Sequence, residues 1–297
     1  MPSFKHDLLV HQRTQAQIEN FLAQPAHALL LTGATGSGKY TLAKAIAANL
    51  LKLDDPHRFE AYPYYWELKA PDGKQEISID AVREMIEKLR LKAPGRAALR
   101  RIVVIEGAQN LSQEAQNALL KTLEEPNPDS AFILTSPSAR AIAPTIVSRA
   151  QGIIVYPITL SSALTYYKQM HNKDNVASNW LLSAGAAGLL DSLLKDDVNH
   201  PLKDGVNNFK KFLGSDTYER LLYCDSLSRD KSSLIYFLDG GKRVLRALQQ
   251  NSIRKQQSGR TKTINGSRKL INSLQAKLEA NASPRLVALS LALNLKL

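Results

Sequence analysis

Seven residues, Gly33-Ala34-Thr35-Gly36-Ser37-Gly38-Lys39, stand between a compact apolar run and an Ala/Leu-rich segment with helical spacing. Glycines let the backbone turn sharply, so that successive N–H groups converge on phosphate oxygens. The start of a helix adds a favourable dipole, and a lysine at this place neutralises the β- and γ-phosphates. The stretch therefore matches the phosphate-binding Walker A loop, in the strand–loop–helix context that this motif requires.

One position departs from this motif. After the lysine the pattern has Ser or Thr, whose hydroxyl binds Mg²⁺, but this chain has Tyr40. Thr41 comes next, yet one step along a helix rotates the side chain by about 100°, so its hydroxyl does not replace the missing ligand. Two alternatives stay open: residues 33–41 bind the phosphates of a nucleotide such as ATP, or the loop keeps its shape and binds nothing.

Strand-like and helix-like segments alternate on both sides of the loop. The predicted strands are short apolar runs at 27–32, 77–79, 102–105 and 131–136. The predicted helices have the spacing of an amphipathic helix at 11–22, 38–51, 80–91 and 112–123. This alternation predicts an α/β domain with a parallel sheet and helices on both faces.

The strand signals fade beyond about Tyr156. Residues 160–194 predict several short helices, 196–206 a linker, and the remainder is helical in pattern. The polar stretch 249–267 is expected to be a loop, because it is rich in Ser, Gln, Asn, Gly and Thr. We therefore predict three domains, at 1–157, 158–205 and 206–297.

A second motif, Arg101-Ile-Val-Val-Ile-Glu106-Gly107, stands where a Walker B strand ends in Asp and then Glu. In that pattern the Asp helps to hold Mg²⁺ and the Glu polarises the attacking water. Here the first position is Glu106, one methylene longer, and the second is Gly107, which has no side chain. Because a missing base removes about 10²–10⁴ in rate, we expect no ATP hydrolysis by the isolated chain, and Mg²⁺ binding is disfavoured.

The charge is concentrated in the last third of the chain. The net charge is 39 − 27 = +12, and residues 206–297 hold 17 Lys/Arg against 6 Asp/Glu. Nine basic and no acidic residues lie from Lys242 to Lys269. This stretch either contacts DNA phosphates or is a solvated face with a flexible loop; few aromatic residues are available for base stacking, and the second interpretation is favoured.

The cysteine content and the length of the apolar runs indicate in which cellular compartment the protein is expected. The only cysteine, Cys224, can form neither an intrachain disulfide nor a Cys-rich zinc site, so a reduced, cytoplasmic protein is expected. No apolar run approaches the roughly 20 residues of a membrane span, so no membrane partner is expected.

Three segments carry a resemblance to a known family. Asn117-Ala-Leu-Leu-Lys-Thr-Leu-Glu-Glu-Pro126 resembles the helix that follows Walker B in bacterial clamp-loader subunits of the AAA+ class. The run 131–136, which ends in Thr135 and Ser136, resembles the sensor 1 strand of that family. Thr145-Ile-Val-Ser-Arg149 is similar to its Ser-Arg-Cys motif, with Ala150 in place of the cysteine. The similarity covers roughly residues 7–157.

The resemblance implies an AAA+ P-loop domain, then a small helical lid domain and an all-α collar domain. Degenerate nucleotide sites are typical of the delta-prime branch, so the chain resembles a delta-prime subunit of the DNA polymerase III clamp loader. The implied partners are delta and gamma/tau-type subunits in a hetero-pentamer, the sliding clamp and primer–template DNA. The implied role is that of an accessory subunit of the DNA-directed DNA polymerase holoenzyme.

The resemblance also assigns roles to individual residues. Arg149 would be an arginine finger, which stabilises charge on the γ-phosphate in a neighbouring subunit's site. The alternative is that Arg149 only pairs with a surface carboxylate. Leu189 and Leu190 stand where the sensor 2 arginine is expected. The family often has a four-cysteine zinc module after the Walker A helix, but residues 51–73 contain no cysteine, so no zinc or other metal is predicted.

Two other functions remain as alternatives. The first is an active AAA+ ATPase, either a clamp-loader motor subunit or a helicase loader, and Tyr40 and Gly107 argue against it. The second is a P-loop nucleotide or small-molecule kinase, which should carry neither the helix at 117–126 nor a basic helical tail.

Overall fold

The computed structural model describes residues 7–52, 61–71, 74, 76–91, 93–94, 97–168, 172–195 and 200–296. The chain forms two compact units, and the boundary falls between Ser162 and Ala163. The three-domain division at 157 and 205 stays a prediction.

The first unit is built on a five-stranded sheet. Its strands are β1 (Ala28–Thr32), β2 (Tyr65–Leu68), β3 (Arg101–Ile105), β4 (Ser130–Ser136) and β5 (Gln151–Ile154). All neighbouring strands are parallel, in the order β2-β3-β4-β1-β5. The predicted α/β class with a parallel sheet is confirmed.

Helices cover both faces of this sheet. They are α1 (Gln12–Ala23), α2 (Lys39–Leu51), α3 (Ile79–Arg90), α4 (Gln113–Glu124) and the short α5 (Pro144–Val147). Successive side chains of a strand point to opposite faces: Leu29 and Leu31 pack in the cluster with α1 and α2, whereas Leu30 packs in the cluster with α3 and α4. Because both faces are covered, the interior strands are continuous apolar runs.

The predicted strand at 77–79 is wrong. Ile77 makes only an isolated bridge to Leu111, and α3 begins at Ile79. The reason is a cap: the Ser78 side chain accepts a hydrogen bond from the Ala81 N–H at 3.4 Å, which starts a helix at this point.

Helices form the second unit. Helix α6 (Leu160–Tyr166) contains the unit boundary, and it is followed by α7 (Lys173–Ser183), α8 (Ala187–Leu194), α9 (Pro201–Gly214), α10 (Thr217–Leu227), α11 (Lys231–Arg254), α12 (Ser258–Glu279) and α13 (Pro284–Asn294). The short helices predicted over 160–194 are confirmed. Phe209, Phe212 and Phe237 pack against one another in the core of this unit. No helix among the described residues is long and apolar enough to cross a membrane.

The loop predicted at 249–267 is also wrong. Helix α11 continues to Arg254, and α12 begins at Ser258, so that only residues 255–257 interrupt the helices. The buried positions of α12 are three and four residues apart, as a helix seam requires; they are Ile264, Ser267, Ile271, Leu274 and Leu278. Of the linker predicted at 196–206, residues 201–206 belong to α9 and 196–199 lie outside the described residues.

Candidate functional site

The glycine-rich loop joins β1 to α2 and has the backbone conformation of a phosphate cradle. Gly36 and Gly38 have φ values of 81° and 83°, which L side chains rarely adopt. At Gly33 an added Cβ would lie 2.7 Å from the Val155 carbonyl oxygen, so only glycine fits there. The local geometry therefore needs all three glycines of the motif.

The lysine of the loop is held by the loop itself. The Lys39 ammonium group donates to the carbonyl oxygens of Gly33 at 2.7 Å and Ala34 at 3.0 Å. The hydroxyl oxygen of Ser37 is buried and has no hydrogen-bond partner among the described residues, while Ala34 and Thr35 are exposed. An unpaired buried hydroxyl inside such a loop suits a phosphate oxygen, so this part of the site fits a phosphate group.

Burial lowers the pKa of Lys39 from 10.5 to about 8, although the charge of Glu106 opposes the shift. Between about pH 8 and 10.5 the unfolded chain therefore binds more protons than the folded chain, and the free energy of unfolding should rise with pH across this window. We expect the stability of the wild type, relative to Lys39→Met, to increase from pH 8 to pH 10. Urea unfolding of both proteins at several pH values measures this difference, and parallel pH profiles would contradict it.

Tyr40 stands at the position of the Mg²⁺ ligand and is tied to another strand. Its hydroxyl donates to Glu67 on β2, and the hydroxyl of Tyr65 donates to the other oxygen of the same carboxylate. The Lys44 ammonium lies 3.3 Å from Glu67. Thr41 is exposed on the first turn of α2. In place of the usual Ser or Thr hydroxyl, this position therefore carries a phenolic hydroxyl that is bound to Glu67.

The charge at Glu67 is stabilised by these neighbours. Burial alone raises the pKa of Glu67, but the hydrogen bonds from Tyr40 and Tyr65 and the charge of Lys44 outweigh it, so that the pKa lies below its ordinary value. Glu67 therefore remains charged and accepts the hydrogen bond of the Tyr40 hydroxyl. The sequence alone does not indicate Glu67 as part of the site, because Glu67 lies 27 residues from Tyr40.

Glu106 and Gly107 follow β3 directly. Burial raises the pKa of Glu106, and the positive charges of Lys69, Lys44 and Lys39 oppose this shift. Gly107 has a φ of 70°, and a Cβ there would lie 2.9 Å from the Asn110 side-chain amide nitrogen. A glutamate at this position would therefore be strained as well as crowded, and the site has no general base at 107.

Thr135 and Ser136 lie at the end of β4, and both hydroxyls engage the chain itself. The Gly107 N–H donates to the Thr135 hydroxyl oxygen at 3.0 Å, and that hydroxyl lies 3.4 Å from the Ile105 carbonyl oxygen. The Ser136 hydroxyl donates to the Ser138 carbonyl oxygen at 2.9 Å. Thr135 therefore links the ends of β3 and β4, and these contacts favour a structural role for the pair.

Arg149 lies after α5, at the surface of the first unit. One terminal nitrogen of its guanidinium lies 2.5 Å from a Glu124 carboxylate oxygen. The other donates to the Thr145 carbonyl oxygen at 2.8 Å and to the Ser148 hydroxyl at 3.3 Å. About a third of the Arg149 side chain is exposed (33%). A guanidinium has five N–H donors, so two of them have no acceptor among the described residues.

Leu189 and Leu190, at the expected sensor 2 position, are fully buried in α8. Leu189 packs with Leu202 in an apolar cluster of the second unit. The segment 51–73, for which no zinc is predicted, includes residues 53–60, 72 and 73, which lie outside the described residues.

Comparison with known proteins connects this geometry to one family. Residues 10–159 match the family model described as DNA polymerase III, delta subunit. The chain is 32% identical over 200 residues to DNA polymerase III subunit delta' of Haemophilus influenzae, covering 63% of this chain and 58% of that protein. It is 34% identical over 140 residues to the same subunit of Pseudomonas aeruginosa, covering 43% and 42%. The chain thus spans about half the length of the curated relatives it matches.

One solved structure has a similar fold over nearly the whole chain. The crystal structure of a DNA polymerase III gamma subunit-related protein from Thermotoga maritima superposes with a TM-score of 0.52 at 16% identity. The match covers 95% of this chain and 98% of that one. At this identity the likeness shows a shared fold.

Proposed function

Because this chain belongs to the delta-prime family of DNA polymerase III subunits, we propose that it serves in a clamp loader as a subunit that does not hydrolyse ATP and that completes the ATP site of a neighbouring subunit. The observation that carries this proposal is made at Tyr40, which stands at the sequence position of the Mg²⁺ ligand and whose hydroxyl donates to Glu67. A site without this ligand cannot hold Mg²⁺ between the β- and γ-phosphates in the usual way.

The second chemical position supports the same conclusion. Walker B catalysis needs a carboxylate that polarises water, and Gly107 has no side chain; its N–H is bound to Thr135 and its carbonyl oxygen to the Asn110 N–H. The two departures lie on different elements, the start of α2 and the end of β3, and they act on different steps, metal binding and water activation. Residues 33–39 would still cradle phosphate groups, so ATP can bind here as a structural ligand without being cleaved.

The active contribution of the chain would come from Arg149. Its guanidinium is partly exposed and retains two donors, which suits two oxygens of a γ-phosphate bound by another chain. The bonds to Thr145 and Ser148 fix the side chain at the turn after α5, so less entropy is lost when a phosphate binds. On binding, the Arg149 guanidinium would either leave Glu124 for that phosphate or contact both the carboxylate and the phosphate.

The assembly would be a cytoplasmic hetero-pentamer with delta and gamma/tau-type subunits, acting on the sliding clamp and primer–template DNA. Residues 158–205 would form the lid and residues 206–297 the collar that holds the subunits together. The family membership supports these partners, and the exposed apolar side chains of Leu286 and Leu293 on α13 would suit a helix–helix contact in the collar.

The isolated chain should show no ATPase activity above background, with or without Mg²⁺ and primed DNA, because both the metal ligand and the base are missing. A purified sample is assayed for phosphate release, with Lys39→Ala as the matched control for contaminating ATPases. Turnover by the wild type that Lys39→Ala abolishes would show that this chain is itself a motor, and the proposal would then fail.

A further inference from the structure

The turn between α11 and α12 carries an open groove of about 600 Å³. Its walls come from one face of each helix, since Gln249 and Ile253 are four residues apart on α11 and Thr261 and Asn265 are four apart on α12. Side-chain amides and hydroxyls dominate the lining, and it contains no aromatic ring.

Four basic side chains lie in this groove or beside it along the chain: Lys262 lines the groove, and Arg254, Lys255 and Arg260 are each adjacent in sequence to a lining residue. Arg254, Lys255, Arg260 and Lys262 are exposed, and none of them forms an ion pair with a residue that the structure describes. Moreover, the sequence has no Asp or Glu between Asp239 and Glu279. These four side chains, the basic tip, therefore form a positive surface that pairs with no carboxylate among the described residues.

The groove is held in shape by bonds between the two helices. The Ser252 and Thr261 hydroxyls lie 2.9 Å apart, and both contact the Gln257 carbonyl oxygen, at 3.1 and 2.9 Å. Arg268 of α12 donates to the side chain of Gln249 on α11. A flexible loop would have to be ordered on binding, whereas this surface is already ordered, which lowers the entropic cost for a ligand.

The positive surface continues along both helices. Arg246 lies three residues before Gln249, and Lys269 lies four residues after Asn265, so helical spacing aligns both with the groove. Both side chains are exposed. The row of positive charge is therefore longer than a single phosphate group needs, and it suits an extended polyanion.

We infer that the basic tip and its groove bind the sugar–phosphate backbone of DNA, without reading its sequence. Amide, hydroxyl and basic side chains are the groups that contact phosphate and sugar, and a lining without aromatic rings offers no platform for base stacking. A protein partner would favour aromatic and apolar anchors, and Ile253 is the one apolar residue of the lining. This surface belongs to the second unit, whereas the phosphate-binding loop belongs to the first.

The test measures binding of fluorescent DNA to the full chain across a salt series, using a single strand and a primed duplex as two probes. The tip variant carries Arg254→Gln, Lys255→Gln, Arg260→Gln and Lys262→Gln. The control variant also loses four positive charges, but at exposed positions elsewhere in the second unit. Its substitutions are Lys168→Gln, Lys173→Gln, Lys277→Gln and Arg285→Gln. Both variants have the same net charge, so a difference between them reports the location of the binding surface.

We expect the tip variant to bind the preferred probe about tenfold or more weakly than the wild type at low salt. Its slope of log affinity against log salt should be smaller by about 3 on a single strand and about 3.6 on a duplex, since each of the four lost phosphate contacts removes roughly 0.7 and 0.9, respectively. The control variant should stay close to the wild type. The measurement uses no partner subunit and no ATP, so it succeeds or fails independently of the proposed role of Arg149.

Three results would overturn the inference: no DNA binding by the wild type at low salt, an equal loss in both variants, or an unchanged affinity in the tip variant. A glutamate-rich peptide is the competing probe. If the tip variant loses affinity for that peptide but not for DNA, the surface serves an acidic protein partner instead. Circular dichroism and thermal unfolding establish that the substituted side chains have not altered the fold.

Discussion

Gly240→Ala should lower the free energy of unfolding of the helical unit by about 3 kcal/mol, whereas Gly266→Ala should raise it by about 0.5–1 kcal/mol. Both glycines lie inside long helices, but their surroundings are opposite. A Cβ at Gly240 would lie 2.5 Å from the Gly205 carbonyl oxygen and 2.6 Å from the Val206 nitrogen, and these are backbone atoms of α9 that cannot rotate away. At Gly266 nothing lies within 4 Å of the added atom.

The two substitutions differ because the backbones of α9 and α11 are in close contact at Gly205 and Gly240, one glycine on each helix. The Cβ that Gly205 lacks would meet the carbonyl group of Tyr236 on α11. An added methyl group therefore forces the two helix axes apart and loosens the packing of Phe209 and Phe237 between them. Alanine at Gly266 meets no neighbour and only reduces the freedom of the unfolded chain.

Urea unfolding checks both values in a Trp66→Phe background, in which Trp180 of α7 is the remaining tryptophan and reports on the helical unit. If Gly240→Ala is as stable as the wild type, the two helices do not pack at this distance. If Gly266→Ala is destabilising, position 266 is not an exposed site within a helix.

The sequence predicts the interior of the sheet well and its edges poorly. Strands β1, β3 and β4 are buried on both faces, so each is an apolar run, and the predicted ranges agree with the observed ones to within one residue at each end. Strands β2 and β5, which were not predicted, are the two edges of the sheet. In β5 only Ile153 is buried, and in β2 an exposed glutamate interrupts the run. An edge strand is thus defined by its pairing partner and carries little apolar signal.

The prediction of a loop at 249–267 fails for a similar reason. Two positions of the buried seam are serines: Ser252 on α11 and Ser267 on α12. Their hydroxyls are satisfied by Thr261 and by the Lys296 carbonyl group, contacts that are distant in sequence. Polar composition therefore predicts solvent exposure for two serines that tertiary hydrogen bonds hold inside the core.

In the candidate site, too, the sequence identifies local motifs but not the contacts between separate elements. The glycine loop, Glu106 and Gly107 could be found from the sequence, because their spacing is set by local backbone geometry. The bond of Tyr40 to Glu67, and that of Thr135 to Gly107, could not, because each joins residues on separate elements. These two contacts nevertheless give the most direct physical account of why the loop should not support hydrolysis.

Arg149→Ala should lower the ATPase rate of the assembled clamp loader at the neighbouring site by about 10³-fold or more, the range in which an arginine finger acts on phosphoryl transfer. The physical reason is the loss of a charged, two-donor group at the γ-phosphate, where negative charge is redistributed in the transition state. The ATPase rate of the whole assembly should fall by less than this factor if other sites continue to turn over.

Truncation of Arg149 should leave the fold of the chain intact. Its ion pair with Glu124 is half exposed, and pairs of this kind contribute about 0–1 kcal/mol to stability. Arg140→Ala is the matched control, because Arg140 is an exposed arginine in the segment between β4 and α5 of the same unit. We expect the control to assemble and hydrolyse ATP as the wild type does.

The most direct test is the steady-state ATPase rate of the assembly reconstituted with delta and gamma/tau-type subunits, primed DNA and the clamp. Wild type, Arg149→Ala and Arg140→Ala are compared after native mass spectrometry has shown that all three enter the complex. We expect Arg149→Ala to assemble normally and its DNA- and clamp-stimulated rate to fall by the contribution of the neighbouring site, while Arg140→Ala keeps the wild-type rate. A fully assembled Arg149→Ala complex that turns over at the wild-type rate would contradict the proposal that this chain completes the ATP site of its neighbour.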